Sequence, residues 1–153
     1  MRAFNLQQLT LLLFFLSGSA VGSPVHAEAS LEVRFLERKV SFSGTMDSEE
    51  TGQRLANAVR SVRPDLAIVN AGLTISPDIE MPDVGDLESA LTELGISTHL
   101  GRIEIRPDSI LVGGITDSVV TITALRIRLN SLLEGRRFIN RICIVPSADL
   151  PEI

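Results

Sequence analysis

Val40-Ser41-Phe42-Ser43-Gly44-Thr45-Met46-Asp47-Ser48 returns seventy residues later as Ile110-Leu111-Val112-Gly113-Gly114-Ile115-Thr116-Asp117-Ser118. Apolar matches alone are cheap, but Gly-x-x-Asp-Ser recurs in the same frame. Working outward, Val33 and Phe35 fall on Ile103 and Ile105, and Leu55, Val59 and Val62 fall on Leu125, Leu129 and Leu132. With a one-residue gap, Leu73, Ile75 and Pro77 meet Ile142, Ile144 and Pro146. Self-similarity at a fixed interval is the mark of a duplicated supersecondary unit. It divides the chain into a first repeat, 28–77, and a second, 101–147, with a connector at 78–100 and a tail at 148–153.

Each copy reads as strand, strand, helix, strand. Leu31, Val33 and Phe35 alternate with Glu32 and Arg34, the period of a half-buried strand. Glu37-Arg38-Lys39 and Arg106-Pro107-Asp108-Ser109 are the turns, and Val40, Phe42, Ile110 and Val112 carry the second strands. Gly44 and Gly114 are expected at equivalent places, where those strands end and backbone must kink or approach a neighbour. Asp47 and Asp117 are expected as helix caps, with Glu50 completing a capping box in the first copy. Leu125-Arg126-Ile127-Arg128-Leu129 read alone alternates like a strand. Val119, Ile122, Leu125, Leu129 and Leu132 also fit one helical face, and the repeat decides for a helix with Ile127 off the core. In the connector, Leu87, Ala90, Leu91 and Leu94 make one apolar face, with Gly95 as a helix stop and the second copy's sheet as the surface covered. The fold class expected is α/β (α+β), with small mixed sheets packed on helices.

Residues 1–27 have the order of a cleavable secretory signal: Arg2, the apolar run Leu9–Leu16, then Gly18, Gly22 and Pro24, closing on Val25-His26-Ala27. The run is short for a membrane-spanning helix, which needs about 20 apolar residues. No Cys stands near the junction for a lipid anchor. A soluble protein beginning near Glu28, in the periplasm or cell envelope, is expected. From Glu28 onward there are 13 Arg and Lys against 19 Asp and Glu, a formal charge of −6. Such a balance, without exposed aromatics, argues against nucleic acid as partner.

Catalytic signals are sparse. His99 is the only His after residue 27, Cys143 is the only Cys, and there is no Tyr or Trp. Nothing in the spacing brings His99 to Cys143 as a nucleophile pair. Cys143 between Ile142 and Ile144 reads as a buried inert thiol, with an intermolecular disulfide as the sharper alternative. Asp78, Glu80, Asp83, Asp86 and Glu88 lack the order of a calcium loop and read as a solvated acidic connector. No enzyme activity, metal or other cofactor is expected.

Charge is nonetheless segregated. The connector carries six acids and no Lys or Arg, whereas residues 101–147 carry seven Arg against Glu104, Asp108, Asp117 and Glu134. Arg136, Arg137 and Arg141 crowd the end of the second helix and the last strand, with Arg126 and Arg128 nearby. Arg presents a fork suited to phosphate or carboxylate. These five are the candidate anion or lipid contacts. The plainer reading is that they complement a helix C-terminus or pair with the acidic connector.

A strand ending in Gly, a helix, and a last strand of the form apolar-Asn-x-apolar resembles the BON-domain family (bacterial OsmY and nodulation). The residues are Val40 to Gly44 with Val69-Asn70, Leu73 and Ile75, then Ile110 to Gly114 with Gly135 and Ile139-Asn140-Arg141-Ile142. The resemblance covers about 31–147. It implies a non-catalytic exported binding module whose partner is anionic phospholipid or another envelope component. The other function class expected is a structural or scaffold subunit of an envelope or secretion assembly, binding a protein partner.

Overall fold

The computed structural model describes residues 29–149. The proposed signal segment, 1–27, lies outside them. The elements are β1 (Ser30–Phe35), β2 (Lys39–Met46), α1 (Glu49–Val62), β3 (Ala67–Ile75), α2 (Val84–Ser97), β4 (His99–Ile105), β5 (Ser109–Thr116), α3 (Val120–Arg128) and β6 (Arg137–Ile144), with single 3-10 turns at Ser131–Leu133 and Ser147–Asp149. Each copy follows the expected strand–strand–helix–strand path. The class is a mixed α/β fold.

The two small sheets are one. The strands lie in the order β3-β2-β1-β4-β5-β6, so the copies meet through their first strands. β1 pairs β4 antiparallel, Leu31 to Ile105 and Val33 to Ile103, while β2–β3 and β5–β6 are parallel. Because Val33 and Ile103 are repeat equivalents, the seam has a local twofold axis through that pair. It is an isologous interface of the kind that joins two identical subunits.

All three helices cover one face. Leu31, Val33, Phe35, Val40, Phe42, Ile103, Ile105, Ile110 and Val112 point to it and form a single buried core with Leu55, Val59, Leu87, Leu91, Leu94, Leu125 and Leu129. Burying each such side chain contributes about 1.5–3 kcal/mol. α2 packs between α1 and α3 and so lies over the seam, not over the second copy alone. It also continues past Gly95 to Ser97. Gly95 is buried, and a Cβ there would stand 3.1 Å from both Phe35 and Val62. It is a close-contact position inside the helix, not a stop.

Gly44 and Gly114 occupy matching places, third from the end of β2 and β5, with φ of +109° and +146°. The one-residue gap between the copies is a β-bulge. Phe42 pairs Asn70 and Gly44 pairs Leu73, so Ala71 and Gly72 stand against Ser43 alone. Gly72 has the positive φ, +80°, that such a bulge favours. In the second copy Val112, Gly113 and Gly114 meet Asn140, Arg141 and Ile142 one for one.

The aspartates are not the caps. β2 runs to Met46 and Ser48 is still extended (φ −153°, ψ 158°), so the N-cap falls one residue later, on Ser48, whose Oγ accepts from Thr51 N at 3.1 Å. Glu50 then stands outside the capping-box position. In the second copy Val119 at the N-cap is already helical and makes no side-chain cap. Ser118 Oγ accepts from Val120 N at 3.3 Å. Asp117 instead accepts from Ser147 Oγ at 2.7 Å, tying the chain beyond β6 to the start of α3. Val119 is 72% exposed and leaves the expected core face, whereas Ile127 is off it as expected, at 66%.

Candidate functional site

Strand alternation fixes what the helix-free face of the sheet carries. On β1 and β4 it carries Glu32, Arg34, Arg102 and Glu104, and on β5 and β6 it carries Leu111, Gly113, Ile139, Arg141 and Cys143. The register lines these up across four strands. One row runs Arg34, Arg102, Gly113, Arg141, and the next runs Glu32, Glu104, Leu111, Ile139. Gly113 confirms the geometry, since a Cβ there would touch the Cβ atoms of Arg141 at 3.5 Å and Arg102 at 4.0 Å.

Like charges directly opposite each other are unfavourable. The seam relieves them along and diagonally across the strands. Arg34 Nε donates to Glu32 at 2.6 Å, Arg102 reaches both Glu32 and Glu104 at 2.5 Å, and Arg106 reaches Glu104 at 2.5 Å. Burial opposes ionisation of Glu32, but the Arg34 hydrogen bond and the Arg102 charge outweigh it and hold its carboxyl below the usual value. The same hydrogen bond raises the Arg34 guanidinium above its usual value.

The five expected arginines do not form one patch. Arg137 and Arg141 lie on the helix-free face. Arg137 pairs with Asp108 at 3.0 Å while its side chain stays 76% exposed, and Arg141 is exposed with no ion pair among the described residues. Arg126 and Arg128 stand exposed on α3, in the opposite layer. Arg136 donates to the carbonyls of Leu132 and Arg106 at 3.2 and 3.3 Å, closing the turn before β6. For Arg136 the plain structural reading holds. Sequence reasoning missed Arg34, Arg102 and Arg106. Their signal was the polar half of the alternation in β1 and β4.

The acidic connector is partly structural. Asp83 caps α2 by accepting from Asp86 N at 3.0 Å, and Glu88 holds Arg54 of α1 in a two-pronged pair at 2.9 and 3.0 Å. Asp86 accepts from Ser131. Among the described residues, the connector's ion pair therefore goes to the first copy, not to the basic second one.

Cys143 is exposed, not buried. Its neighbours Ile142 and Ile144 fall on the helix side because β6 alternates, which turns Cys143 to the other face. His99 lines a cleft of about 380 Å³ between α2 and α3, with Ile96, Ser97, Asp117 and Val120. The two residues stand in one cross-strand row through Ile115, two strands apart. A maleimide should label Cys143 in the folded protein as fast as in urea, within about threefold, since access governs thiol reaction. Protection by orders of magnitude would contradict this placement.

Two clefts flank equivalent helices. One of about 420 Å³ lies between α1 and β3, and one beside α3 is lined by Ile122, Thr123, Arg126, Ile127 and Asn130. No family model matches the chain, and no curated protein matches it either.

Proposed function

We propose that the chain is a non-catalytic module of the cell envelope that binds anionic phospholipid headgroups through the helix-free face of its sheet. The observation that carries this reading is the gathering of Arg34, Arg102, Arg106, Arg137 and Arg141 on that face, with Leu111 and Ile139 among them. The paired members are held in geometry by Glu32, Glu104 and Asp108, and Arg137 and Arg141 remain extended towards solvent. Each basic residue at an anionic surface contributes about 1 kcal/mol, so a few sharing one face offset an acidic overall charge. The BON-domain resemblance points the same way.

Sedimentation with phosphatidylglycerol vesicles tests it. Arg137→Gln with Arg141→Gln should weaken binding about 30-fold at low salt. Arg126→Gln with Arg128→Gln, in the other layer, should change it less than about threefold. Binding should fade as salt approaches the range where exposed charges are screened beyond about 10 Å. No binding at low salt, or equal loss from both pairs, removes the reading.

A further inference from the structure

The two edges of the sheet differ. β6 carries Arg137 and Arg141, whereas β3, nine residues long, carries no charged side chain. Edge strands are ordinarily guarded by charge, proline, a bulge or a covering element, because their free backbone groups invite another strand. β3 has its bulge at Ala71 and Gly72 and none of the other guards. Ala67 N donates inward to Arg38 O and Ser76 N to Met46 O. Alternation then turns the amides of Ile68, Asn70 and Ile75 outward, where no strand of the described residues meets them.

The layer above this edge is open as well. The cleft between α1 and β3 is floored by Gly52, Ala56, Ile68, Leu73 and Ile75. At the positions equivalent to Gly52 and Ala56 the second copy has Ile122 and Arg126. The flank of α1 beside β3 exposes Glu49, Gln53 and Arg60 at helical spacing, with Ala56 buried beneath them and Gly52 turned towards Met46 and Leu73. An acid stands at its start, a base at its end, and the small residues lie midway. Neither Glu49 nor Arg60 is in an ion pair among the described residues. Such a face is complementary to itself when reversed. Laid antiparallel on a second α1, it brings Glu49 to Arg60 twice.

We propose that the protein dimerises by setting β3 antiparallel to β3 of a second copy, about a twofold axis normal to the sheet. One operation pairs the two uncharged edges into a continuous twelve-stranded sheet and places α1 beside α1 in reversed sense. It repeats between chains what the β1–β4 seam does within one. The charge pattern of α1 selects a second copy over an unrelated extended segment, since only a reversed α1 supplies both partners.

Sedimentation equilibrium of the exported full-chain product across a wide concentration range is the test. The mass should rise to twice the monomer value, with weaker association at high salt. Arg60→Glu and Glu49→Arg, which oppose like charges at both ends, should each weaken association at least about tenfold. Because the interface is isologous, the double variant should return to within about threefold of the parent. Arg126→Glu, on the equivalent face of α3, should leave the dimer unchanged. Circular dichroism melts confirm that each variant is folded. A monomer at every concentration overturns the proposal. So does a dimer indifferent to both single variants, one that the double variant fails to restore, or one broken by Arg126→Glu.

Discussion

Gly44→Ala is expected to destabilise the protein by at least about 4 kcal/mol. A Cβ at Gly44 would lie 2.0 Å from the carbonyl oxygen of Ser30 and 3.1 Å from Leu31 Cα. Both are backbone atoms of β1, so no side chain can swing aside, and the β1–β2 ladder must part. The φ of +109° adds a conformational penalty of about 1–3 kcal/mol. Native domains hold only about 5–15 kcal/mol in total, so much of the stability would be lost. Gly114→Ala should cost less, about 2 kcal/mol. Its nearest contacts, Gly101 Cα, Thr98 Cβ and His99 O, stand at 3.2–3.3 Å and need give only slightly. Urea titrations followed by circular dichroism measure both. A cost below about 1 kcal/mol for Gly44→Ala, or the reverse order, would show that β1 does not pass Gly44 as described.

Leu94→Ala should cost about 3 kcal/mol. Leu94 is fully buried on α2 and lies against Gly101 of β4. Its place over the seam means that the cavity opens in the core both copies share. The variant should therefore unfold in one transition, with amides of Val40–Met46 and Ile110–Thr116 losing hydrogen-exchange protection together. Ile127→Ala, on the exposed side of α3, should change stability by less than about 0.5 kcal/mol. Two separate transitions in Leu94→Ala would mean that the copies are independent units.

How much of this was legible follows from which signals are local. The path of each copy was, because apolar spacing and the Gly-x-x-Asp-Ser match survive duplication. Residues 125–129 alternate like a strand and also fit a helical face, and the repeat decides for the helix found at Val120–Arg128. The gap in the repeat was also visible, although only pairing shows that it is the bulge at Ala71 and Gly72. The joining of two sheets into one was not legible, since nothing in β1 or β4 names the strand on its other side. With that seam unknown, Glu32, Arg34, Arg102 and Glu104 read as four separate surface charges. Cys143 was misplaced for a related reason. Apolar neighbours in a strand mark the opposite face, not the residue's own. The first cap falls one position later because extended backbone persists through Ser48, the second falls two later at Val119, and Gly95, which reads as a stop, is a close contact.

The seam also has a history within each molecule's folding. β1 meets β2 after a three-residue turn, but β4 follows only after α1, β3 and α2 have been laid down. Until then β1 is itself an edge. Residue 32 faces residue 104, the repeat equivalent of residue 34. Two first copies from different molecules would thus set Glu32 against Arg34 on both sides, an arrangement with no like charges opposed. The native pairing opposes Glu32 to Glu104 and Arg34 to Arg102. Across the strands, the encounter between molecules is the better matched one. What favours the native choice is tethering: α2 keeps β4 near β1 at an effective concentration of the order of millimolar, far above that of any neighbouring chain. Dilution during refolding should therefore raise the yield of the correct monomer fold, and crowding should lower it.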